Sequence, residues 1–389
     1  MAKHIAVVGA GIAGLATAVA LQRRGLGVTV LQDRADTSSG AGISIWPNAL
    51  AALDAIGLGD AVRDAGGPVT AGAVRWRDGT WLRRPDPDRM VRALGEALVV
   101  VQRAVLTDVL TSALTPGTVR DRVPVRGVSV TADEVRLVLC DGTRFATDGV
   151  VGADGTRSVL ARHLNGPMTH SYAGYTAWRG VAACAIAPGL AGETLGPAVE
   201  IGHVPMGRDH TYWFATERAP EGATAPGGEL DYLRARYSTW AQPVPAVLSA
   251  TDPAAVLRHD IYDRTPARTW ARGPVVLVGD AAHAMRPHLG QGGCQGLEDA
   301  AILAEFVGDG ADLTVAFARF AAFRRRRVAP LVRGSALIGT IVNLRPALLS
   351  AAAGRATVLI PEAMVARYLA AVASRAAFRL PTDRDVQPA

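Results

Sequence analysis

A glycine pattern near the start of the chain constrains its fold more than any other feature. The apolar run His4–Val8 is followed by GAGIAG at residues 9–14, and an alanine- and leucine-rich stretch continues to Arg24. A short apolar run bounded by glycine predicts a buried parallel strand, and the stretch from Ile12 predicts a helix. With a second strand predicted over Val28–Leu31, the segment forms one βαβ unit.

The three glycines of this pattern have separate tasks in a dinucleotide-binding turn. Gly9 permits the tight turn, Gly11 lets a pyrophosphate approach the backbone, and Gly14 lets the helix pack closely on the strand. The N–H groups at the start of the helix would then face the phosphates. The sequence therefore predicts a dinucleotide site, with an ordinary glycine turn as the alternative.

The acidic residue expected at the end of the second strand is absent. An acidic side chain usually follows such a strand and binds the ribose hydroxyls, but this chain has Gln32, followed by Asp33 and Arg34. A neutral amide is a weaker hydrogen-bond acceptor than a carboxylate. We therefore expect a weaker ribose contact from Gln32, or one that Asp33 or Arg34 shares.

Two later segments carry similar strand-to-helix turns. Residues 148–158 read DGVVGADGTRS and present the carboxylate of Asp154. Residues 275–294 read VVLVGDAAHAMRPHLGQGGC, so Asp280 ends a buried strand at the edge where open α/β sheets bind ligands. The glycine-rich turn then opens a helix near Gly293, whose N-terminus can stabilise an anion. His283, beside Asp280, is expected to be structural.

The middle of the chain has a different character. From Tyr172 to Arg264, short alternating segments such as Ala198–Val204 and Thr211–Ala215 predict strands, and one helix is predicted over Leu230–Ser238. The βα pattern returns at Pro266, and the chain is predicted to be helical after Glu298. The second domain is therefore expected to be inserted into the first.

Smaller local signals predict further elements. Val99–Leu114 predicts a strand that runs into a helix, and Asp141-Gly142 predicts the turn of a hairpin over Val128–Phe145. A helix is predicted from Pro47 and Asn48 to Gly57, because Asn is a good N-cap and Gly a good C-cap.

The charge and cysteine content exclude several classes of protein. The 389 residues carry a formal charge of +6, but Lys3 is the sole lysine, which excludes a phosphate-binding P-loop lysine and a Schiff base. The arginines are scattered among acidic residues, and the run Arg324–Arg327 is expected to be a solvated helix face. We therefore expect no nucleic acid partner.

The cysteine positions and the lack of a long apolar run exclude further classes of protein. The odd number of cysteines fits a reduced protein rather than a disulfide framework, and no His, Cys or Asp cluster has metal-ligand spacing. The alanine-rich stretch 347–378 is interrupted by Arg355, Pro361, Glu362 and Arg367, so no membrane span and no membrane partner are expected. These features predict a soluble, cytoplasmic protein.

The three motifs, in this order, resemble those of the single-component FAD-dependent aromatic hydroxylases, the class of para-hydroxybenzoate hydroxylase. The resemblance covers about residues 1–335 and includes VQRAVL at 101–106. The stretches GAGISIWPN at 40–48 and YAGYTAWRG at 172–180 are typical of the branch that contains salicylate and urate hydroxylases and zeaxanthin epoxidase. The resemblance implies an α/β fold: a Rossmann-type FAD-binding domain, an inserted, mostly antiparallel β-sheet substrate domain, and C-terminal helices.

This resemblance sets the domain bounds and the cofactor site. The FAD-binding domain is expected at 1–71, 101–171 and 266–335, the substrate domain at 72–100 and 172–265, and the C-terminal helices at 336–389. The residues expected to bind FAD are Gly9, Gly11, Ala13, Gly14, Gln32, Arg34, Gly42, Ile43, Arg103, Leu106, Asp154, Asp280, Pro287, Gly290, Gln291, Gly292 and Gly293.

The family's reaction gives the expected activity. NAD(P)H reduces FAD, O2 adds to give a flavin C4a-hydroperoxide, and one oxygen atom is transferred to an electron-rich carbon. The implied activity is hydroxylation of an aromatic or heteroaromatic small molecule, such as an indole-like compound, by a monomer or homodimer. The alternatives are a flavin-dependent epoxidase or oxidative cyclase acting on an olefinic compound, and a catalytically idle flavin-binding protein.

Candidate catalytic residues lie on the predicted strands of the second domain. Alternation along residues 200–204 places Glu200 on one face and His203 on the other. By resemblance, urate hydroxylases have arginine where this chain has Glu200 and tyrosine where it has Tyr212. An anion in place of a cation argues against urate and favours a substrate with an N–H donor. Glu200, Tyr212 and His203 are the candidates, against a solvent-facing Glu200 and a Tyr212 that only packs in the core.

Overall fold

A computed structural model describes residues 3–33, 42–70, 72–131, 134–308, 311–382 and 385. Arg34 lies outside these residues. The strands of the described part are β1 His4–Val8, β2 Gly27–Gln32, β3 Gly42–Ile45, β4 Gly67–Val69, β5 Ala73–Trp76, β6 Trp81–Arg83, β7 Leu98–Gln102, β8 Val119–Asp121, β9 Val125–Val130, β10 Val135–Leu139, β11 Arg144–Thr147, β12 Gly149–Gly152, β13 His170–Ala182, β14 Gly192–Gly196, β15 Val199–Met206, β16 His210–Glu217, β17 Leu257–Arg264, β18 Ala271–Arg272 and β19 Val275–Leu277.

The α-helices of the same residues alternate with these strands at both ends of the chain and follow one another near the C-terminus. They are α1 Ile12–Arg23, α2 Pro47–Ala55, α3 Gly59–Ala65, α4 Pro87–Leu94, α5 Arg103–Ser112, α6 Val159–Asn165, α7 Glu229–Arg236, α8 Val244–Ser249, α9 Asp280–His283, α10 Gly292–Phe306, α11 Leu313–Val342, α12 Ala347–Ala356 and α13 Glu362–Ala373.

The sheet that carries the glycine turn is six-stranded, in the order β18-β19-β12-β1-β2-β8. It is parallel except for the β18-β19 pair. Successive residues of β1 point to opposite faces of the sheet. Ile5 and Val7 pack with α1 and α10, while Ala6 and Val8 pack with β10 and α6. Burial on both faces explains why β1 is apolar throughout. The predicted βαβ unit and the Rossmann-type fold are confirmed.

The second large sheet has seven strands in the order β17-β13-β16-β15-β14-β5-β6. Its pairs are antiparallel, apart from the parallel pair β14-β5. On one face, Trp178 and Trp213 pack against α7 and α8. The other face, with Ala177 and Arg179, borders a large cavity. Sequence patterns predicted α7 but missed α8.

Two three-stranded sheets complete the β structure. β3, β7 and β4 form one, and β9, β10 and β11 form the other. Gly142 has a φ of 88° at the β10-β11 turn, so the hairpin predicted at Asp141-Gly142 is confirmed. β5 and β6 belong to the seven-stranded sheet, whereas β7 pairs with β3 and β4. The predicted domain boundaries stay a prediction.

Two local expectations are wrong. Helix α2 is preceded by Trp46 as its N-cap, and the buried Asn48 instead donates to Gln291 Oε1 at 2.9 Å and to Glu298 Oε1 at 2.7 Å. The run from Arg324 is not simply a solvated face, because Arg324 is buried against α10. In both cases a distant buried partner outweighs the local preference.

The C-terminal helices follow one another without intervening strands. No single described helix is long and apolar enough to cross a bilayer, although Leu313–Val342 and Ala347–Leu359 pass that test as a pair bent by 118°. α13 packs on α4 and α2, and α12 packs on α11. α11 packs on β18 and β19 and α12 packs on β14, so the C-terminal helices contact both large sheets.

Candidate active site

A cavity of about 1180 Å³ lies where the two large sheets, the β3-β7 sheet and the C-terminal helices meet. This volume exceeds the range of about 300–1,000 Å³ that is usual for a single small ligand. Twelve predicted site residues line it: Gly11, Ala13, Gly42, Ile43, Arg103, Glu200, Tyr212, Asp280, Pro287, Gly290, Gly292 and Gly293. Ala153 and Gly155 of the second motif also line it, so the structure brings together residues from all three sequence motifs and from the inserted sheet.

The glycine turn after β1 forms one end of this cavity. Gly9 has a φ of 106°, and a Cβ there would lie 2.4 Å from the Ala153 carbonyl oxygen. A Cβ on Gly14 would lie 1.9 Å from the Gly9 carbonyl oxygen, so the helix approaches the turn closely. By contrast, a Cβ on Gly11 would meet no atom within 4 Å. The protein itself therefore does not need glycine at position 11. The missing side chain leaves space in the cavity for a ligand.

The start of α1 faces that open space. Gly11 is the N-cap of α1 and no side chain caps this end of the helix. The first N–H groups of a helix need acceptors, and they favour an anion. Gly11, Ile12 and Ala13 line the cavity, so a phosphate group there would lie against the helix N-terminus.

Gln32 contributes to the same turn from the end of β2. Its Oε1 accepts a hydrogen bond from the Ala10 backbone N–H at 2.7 Å. The amide thus supports the glycine turn by its oxygen, a role that the sequence did not indicate. The ribose contact predicted for Gln32 stays a prediction.

Asp154 lies in the second motif but turns its carboxylate away from the cavity. Its Oδ1 accepts from Ser158 Oγ at 2.5 Å, and its Oδ2 accepts from the Val159 N–H at 2.6 Å. Burial raises the pKa of this carboxyl group, although these hydrogen bonds oppose the rise. Asp154 therefore holds the start of α6, while its neighbours Ala153 and Gly155 line the cavity.

The third motif lies across the cavity from the glycine turn. Two residues separate the end of β19 from Asp280, which begins α9, is exposed, and lines the cavity. The start of α10 has no side-chain cap, and Gly292 and Gly293 line the cavity. A Cβ on Gly292 would have only loose contacts, at 3.8 Å from Met285 Cγ and 4.0 Å from Asp280 Oδ1. A second uncapped helix end therefore faces the cavity.

These features fit FAD. Two helix N-termini without side-chain caps, two glycines that leave space, and a carboxylate between them match the phosphates, ribityl hydroxyls and ring of that cofactor. Gly11 and α1 would hold the pyrophosphate, Asp280 the ribityl chain, and Gly292 with Gly293 the ring.

A buried network supports this wall from behind. His283 Nε2 lies 2.7 Å from Asp299 Oδ2, and Arg324 Nε donates to Asp299 Oδ1 at 2.7 Å. Burial alone would raise the pKa of Asp299, but His283 and Arg324 lower that pKa to about 2. Arg324 also binds Glu298 at 2.7 Å, so one guanidinium links α11 to two carboxylates of α10. In this network His283 has a structural role, as the sequence suggested.

A cluster of titratable side chains lines the opposite part of the cavity. Glu200 is 4% exposed, and its Oε1 accepts from Thr216 Oγ1 at 2.9 Å and lies 3.2 Å from His288 Nδ1. His288 Nε2 lies 2.9 Å from the Tyr175 hydroxyl. Thr216 and His288 both contact Oε1, so Oε2 can accept a proton or hydrogen bond from a ligand.

A second carboxyl group belongs to this cluster. Glu193 of β14 lines the cavity on the strand beside Glu200. Burial and the neighbouring Glu200 raise the pKa of Glu193 to about 8. At neutral pH the cavity wall therefore holds a protonated carboxylic acid at Glu193, which can donate a hydrogen bond.

The two other catalytic candidates are placed differently. Tyr212 lines the cavity, and its ring lies against Gly42, where a Cβ would be 2.4 Å from Tyr212 Cγ. Burial raises the pKa of the Tyr212 hydroxyl. His203 is not among the cavity-lining residues, and its Nε2 lies 3.1 Å from Thr194 Oγ1. Its position gives no support to a role as catalytic base.

Several predicted cofactor residues lie behind the cavity surface. Leu106 is in the core, and Gln291 is buried next to Asn48. The site residues that sequence reasoning missed are His288, Glu193 and Tyr175. His288 stands inside the third motif, but its contact with Glu200 comes from the packing of that motif on the seven-stranded sheet, which leaves no local signal in the sequence. The assignment of individual residues to FAD and catalysis stays a prediction.

Comparison with known proteins agrees with this geometry. The model of a family described as FAD binding domain matches residues 3–308. The chain is 37% identical over 342 residues to the aurachin C monooxygenase/isomerase of Stigmatella aurantiaca, covering 87% of this chain and 89% of that protein. It is 36% identical over 318 residues to the chloroplastic zeaxanthin epoxidase of Solanum lycopersicum, covering 77% of this chain but only 47% of the epoxidase.

The same agreement holds for solved structures. A crystal structure of HpxO from Klebsiella pneumoniae, in complex with FAD and uric acid, matches with a TM-score of 0.88 and 27% identity. The match covers 95% of this chain and 96% of that chain. The similarity therefore includes the inserted sheet and the C-terminal helices as well as the glycine turn.

Proposed function

The chain belongs to the FAD-binding-domain family of flavoprotein monooxygenases, and we propose that it uses NAD(P)H and O2 to hydroxylate an electron-rich aromatic or heteroaromatic small molecule that carries an N–H or O–H group. The observation that carries this proposal is the Glu200 carboxylate, which lies in the cavity wall with Oε1 held by Thr216 and beside His288. A fixed acceptor suits a substrate that donates a proton.

Glu200 acts here as the acceptor for that proton. The bound FAD, once reduced by NAD(P)H, supplies an activated oxygen atom derived from O2. Glu200 Oε2 accepts the hydrogen bond from the substrate N–H or O–H and then takes its proton, which raises the electron density of the ring. Thr216 and His288 hold the carboxylate in place during this transfer.

The neighbouring side chains position the substrate and exclude water. His288 stands between Glu200 and Tyr175, so its ring orientation is fixed at both nitrogens. Tyr212 and Phe214 supply aromatic walls, with their ring centroids 6.4 Å apart. Glu193, protonated at neutral pH, can donate a hydrogen bond to a substrate oxygen.

The experiment compares matched substrates. Aromatic compounds with N–H or O–H groups are screened against their N- or O-methylated counterparts for stimulated NAD(P)H oxidation, with incorporation of an ¹⁸O label from O2. We expect the unmethylated compounds to be hydroxylated and the methylated ones to be poor substrates. Glu200→Gln should retain the yellow flavin absorbance and lower kcat by about a hundredfold, while the exposed Glu221→Gln serves as the control.

Contrary results point to the alternatives. Equal turnover of methylated compounds, with oxygen added to a carbon–carbon double bond, would favour an epoxidase or oxidative cyclase on an olefinic substrate. The similarity to zeaxanthin epoxidase favours that second candidate. Flavin binding without labelled product across the whole panel would favour the idle flavin-binding protein.

A further inference from the structure

The exposed apolar side chains of this protein are concentrated in one segment. Of the fourteen large hydrophobic residues exposed among the described residues, nine lie within residues 337–368, which we call the C-terminal lip. Leu348, Leu359 and Met364 are 77%, 80% and 62% exposed. Single exposed apolar residues are common, but such a concentration indicates an interaction surface.

The C-terminal lip also forms part of the cavity wall. Ile341, Val358, Leu359 and Ile360 are exposed and also line the cavity, and Val365 continues the lining inward. Arg83 fixes the edge by donating to the Thr357 carbonyl oxygen at 2.9 Å. An apolar path therefore leads from the exposed surface of the lip into the site.

The charges around the lip identify its partner. Arg345, Arg355 and Arg367 are exposed there, and Glu362 is the one described acidic residue of the segment. Asp78, outside the segment, lies 4.0 Å from Arg355, so the lip keeps an excess of positive charge through Arg345 and Arg367. A second copy packed on this surface about a twofold axis would oppose arginine with arginine. Anionic lipid headgroups would instead neutralise these charges while the apolar side chains enter the interface.

We propose that the C-terminal lip docks the protein on the surface of an anionic lipid bilayer, with the cavity mouth turned toward the lipid. The helices lie in the interface and do not span it, in agreement with the lack of a spanning helix among the described residues. A consequence, which rests on the proposed function, is that an apolar aromatic or olefinic substrate dissolved in the lipid reaches the site without crossing water.

The test is flotation of the FAD-loaded full chain with vesicles through a density gradient. One set of vesicles is phosphatidylcholine alone, and the other is an equal mixture of phosphatidylcholine and phosphatidylglycerol. The double variant Leu348→Glu, Met364→Glu changes two exposed residues that do not line the cavity. The control, Val315→Glu, changes an exposed residue of α11 outside the lip. Flavin absorbance reports that each variant is folded.

We expect the wild type and Val315→Glu to float with the anionic vesicles. The double variant should lower the partition coefficient by at least about tenfold. Arg367→Gln should lower it by about fivefold on anionic vesicles only.

Three results would overturn the proposal. They are no flotation of the wild type, equal flotation of the double variant, and a dimer in sedimentation velocity that the double variant dissociates while no form binds vesicles. Because flotation needs no turnover, these results leave the proposed oxygen transfer to be judged separately.

Discussion

At the scale of single residues, the cavity wall combines two carboxyl groups with different surroundings. Glu200 accepts a hydrogen bond from the Thr216 hydroxyl and lies beside His288, whereas the Glu193 side chain has no hydrogen bond to another described residue. Burial next to Glu200 raises the pKa of Glu193 to about 8. An acid whose pKa is higher in the folded state than in the unfolded state makes the fold less stable as the pH rises between the two values.

This difference gives a prediction for Glu193→Gln. The folded wild type keeps the Glu193 proton up to about pH 8, while the unfolded chain loses it near pH 4.5. The variant should therefore exceed the wild type in free energy of unfolding at pH 8, by at most about 5 kcal/mol, with little difference at pH 4. Urea unfolding at both pH values measures this, with Glu221→Gln as the exposed control. An equal difference at both pH values would contradict the assigned protonation.

At the scale of elements, two glycines of the turn between β1 and α1 are needed for different reasons, Gly9 for folding and Gly11 for binding the ligand. Gly9 is needed by the protein itself, since its φ is 106° and a Cβ would meet the Ala153 carbonyl. Gly11 has no such neighbour. We expect Gly11→Ala to leave the unfolding free energy of the apoprotein unchanged within about 0.5 kcal/mol and to weaken FAD binding at least about tenfold.

Titration of apoprotein with FAD, followed by flavin fluorescence, and urea unfolding check both parts of this prediction. The matched variant Gly9→Ala should lower the free energy of unfolding by about 1–3 kcal/mol. If Gly11→Ala bound FAD as tightly as the wild type, the pyrophosphate could not lie where we place it.

The link between α10 and α11 gives a second prediction at this scale. Arg324→Met would leave the buried carboxylates of Asp299 and Glu298 without their guanidinium, at a cost of about 3–5 kcal/mol. Arg325→Met, at an exposed position of the same helix, should change the free energy of unfolding by less than about 0.5 kcal/mol. Denaturant unfolding of both variants at pH 7 tests the contrast, and similar values for the two would show that the buried ion pairs contribute little.

At the scale of the whole molecule, the FAD site joins parts that the chain separates. The cavity is lined by the glycine turn of the six-stranded sheet, by β3, by the seven-stranded sheet and by the C-terminal helices. A ligand that contacts all of them binds only the folded arrangement. Binding of this ligand therefore raises the free energy of unfolding of the whole chain.

Removal of FAD should show this coupling. At an FAD concentration a hundredfold above Kd, the free energy of unfolding should exceed that of the apoprotein by about 2.7 kcal/mol. Tryptophan fluorescence reports on both large sheets, because Trp178 and Trp213 belong to the seven-stranded sheet and Trp270 packs beside the six-stranded one, and circular dichroism follows the whole fold. Both signals should shift together on addition of FAD. Two separate unfolding transitions in the presence of FAD would show that part of the fold unfolds independently of the cofactor.

Much of the fold could be predicted from the sequence because the signals are local. The φ of Gly9, the alternation along β15 and the Asp-Gly turn of the β10-β11 hairpin depend on a few neighbouring residues. The same holds for the three glycine-containing turns, which identified the family and the cofactor. The sequence could also predict that Glu200 and His203 face opposite sides of a strand.

Which side chains meet was decided by the tertiary structure. His288 reaches Glu200 only through the packing of the third motif on the seven-stranded sheet, and Asn48 leaves the helix-capping role because Glu298 and Gln291 are buried beside it. The sequence predicts that Arg324 belongs to a solvated run, but in the structure it is buried and pairs with the carboxylates of Glu298 and Asp299 in α10. Backbone sterics and periodicity act within a few residues and can be read along the chain. Desolvation and ion pairing depend on partners that only the folded arrangement brings together.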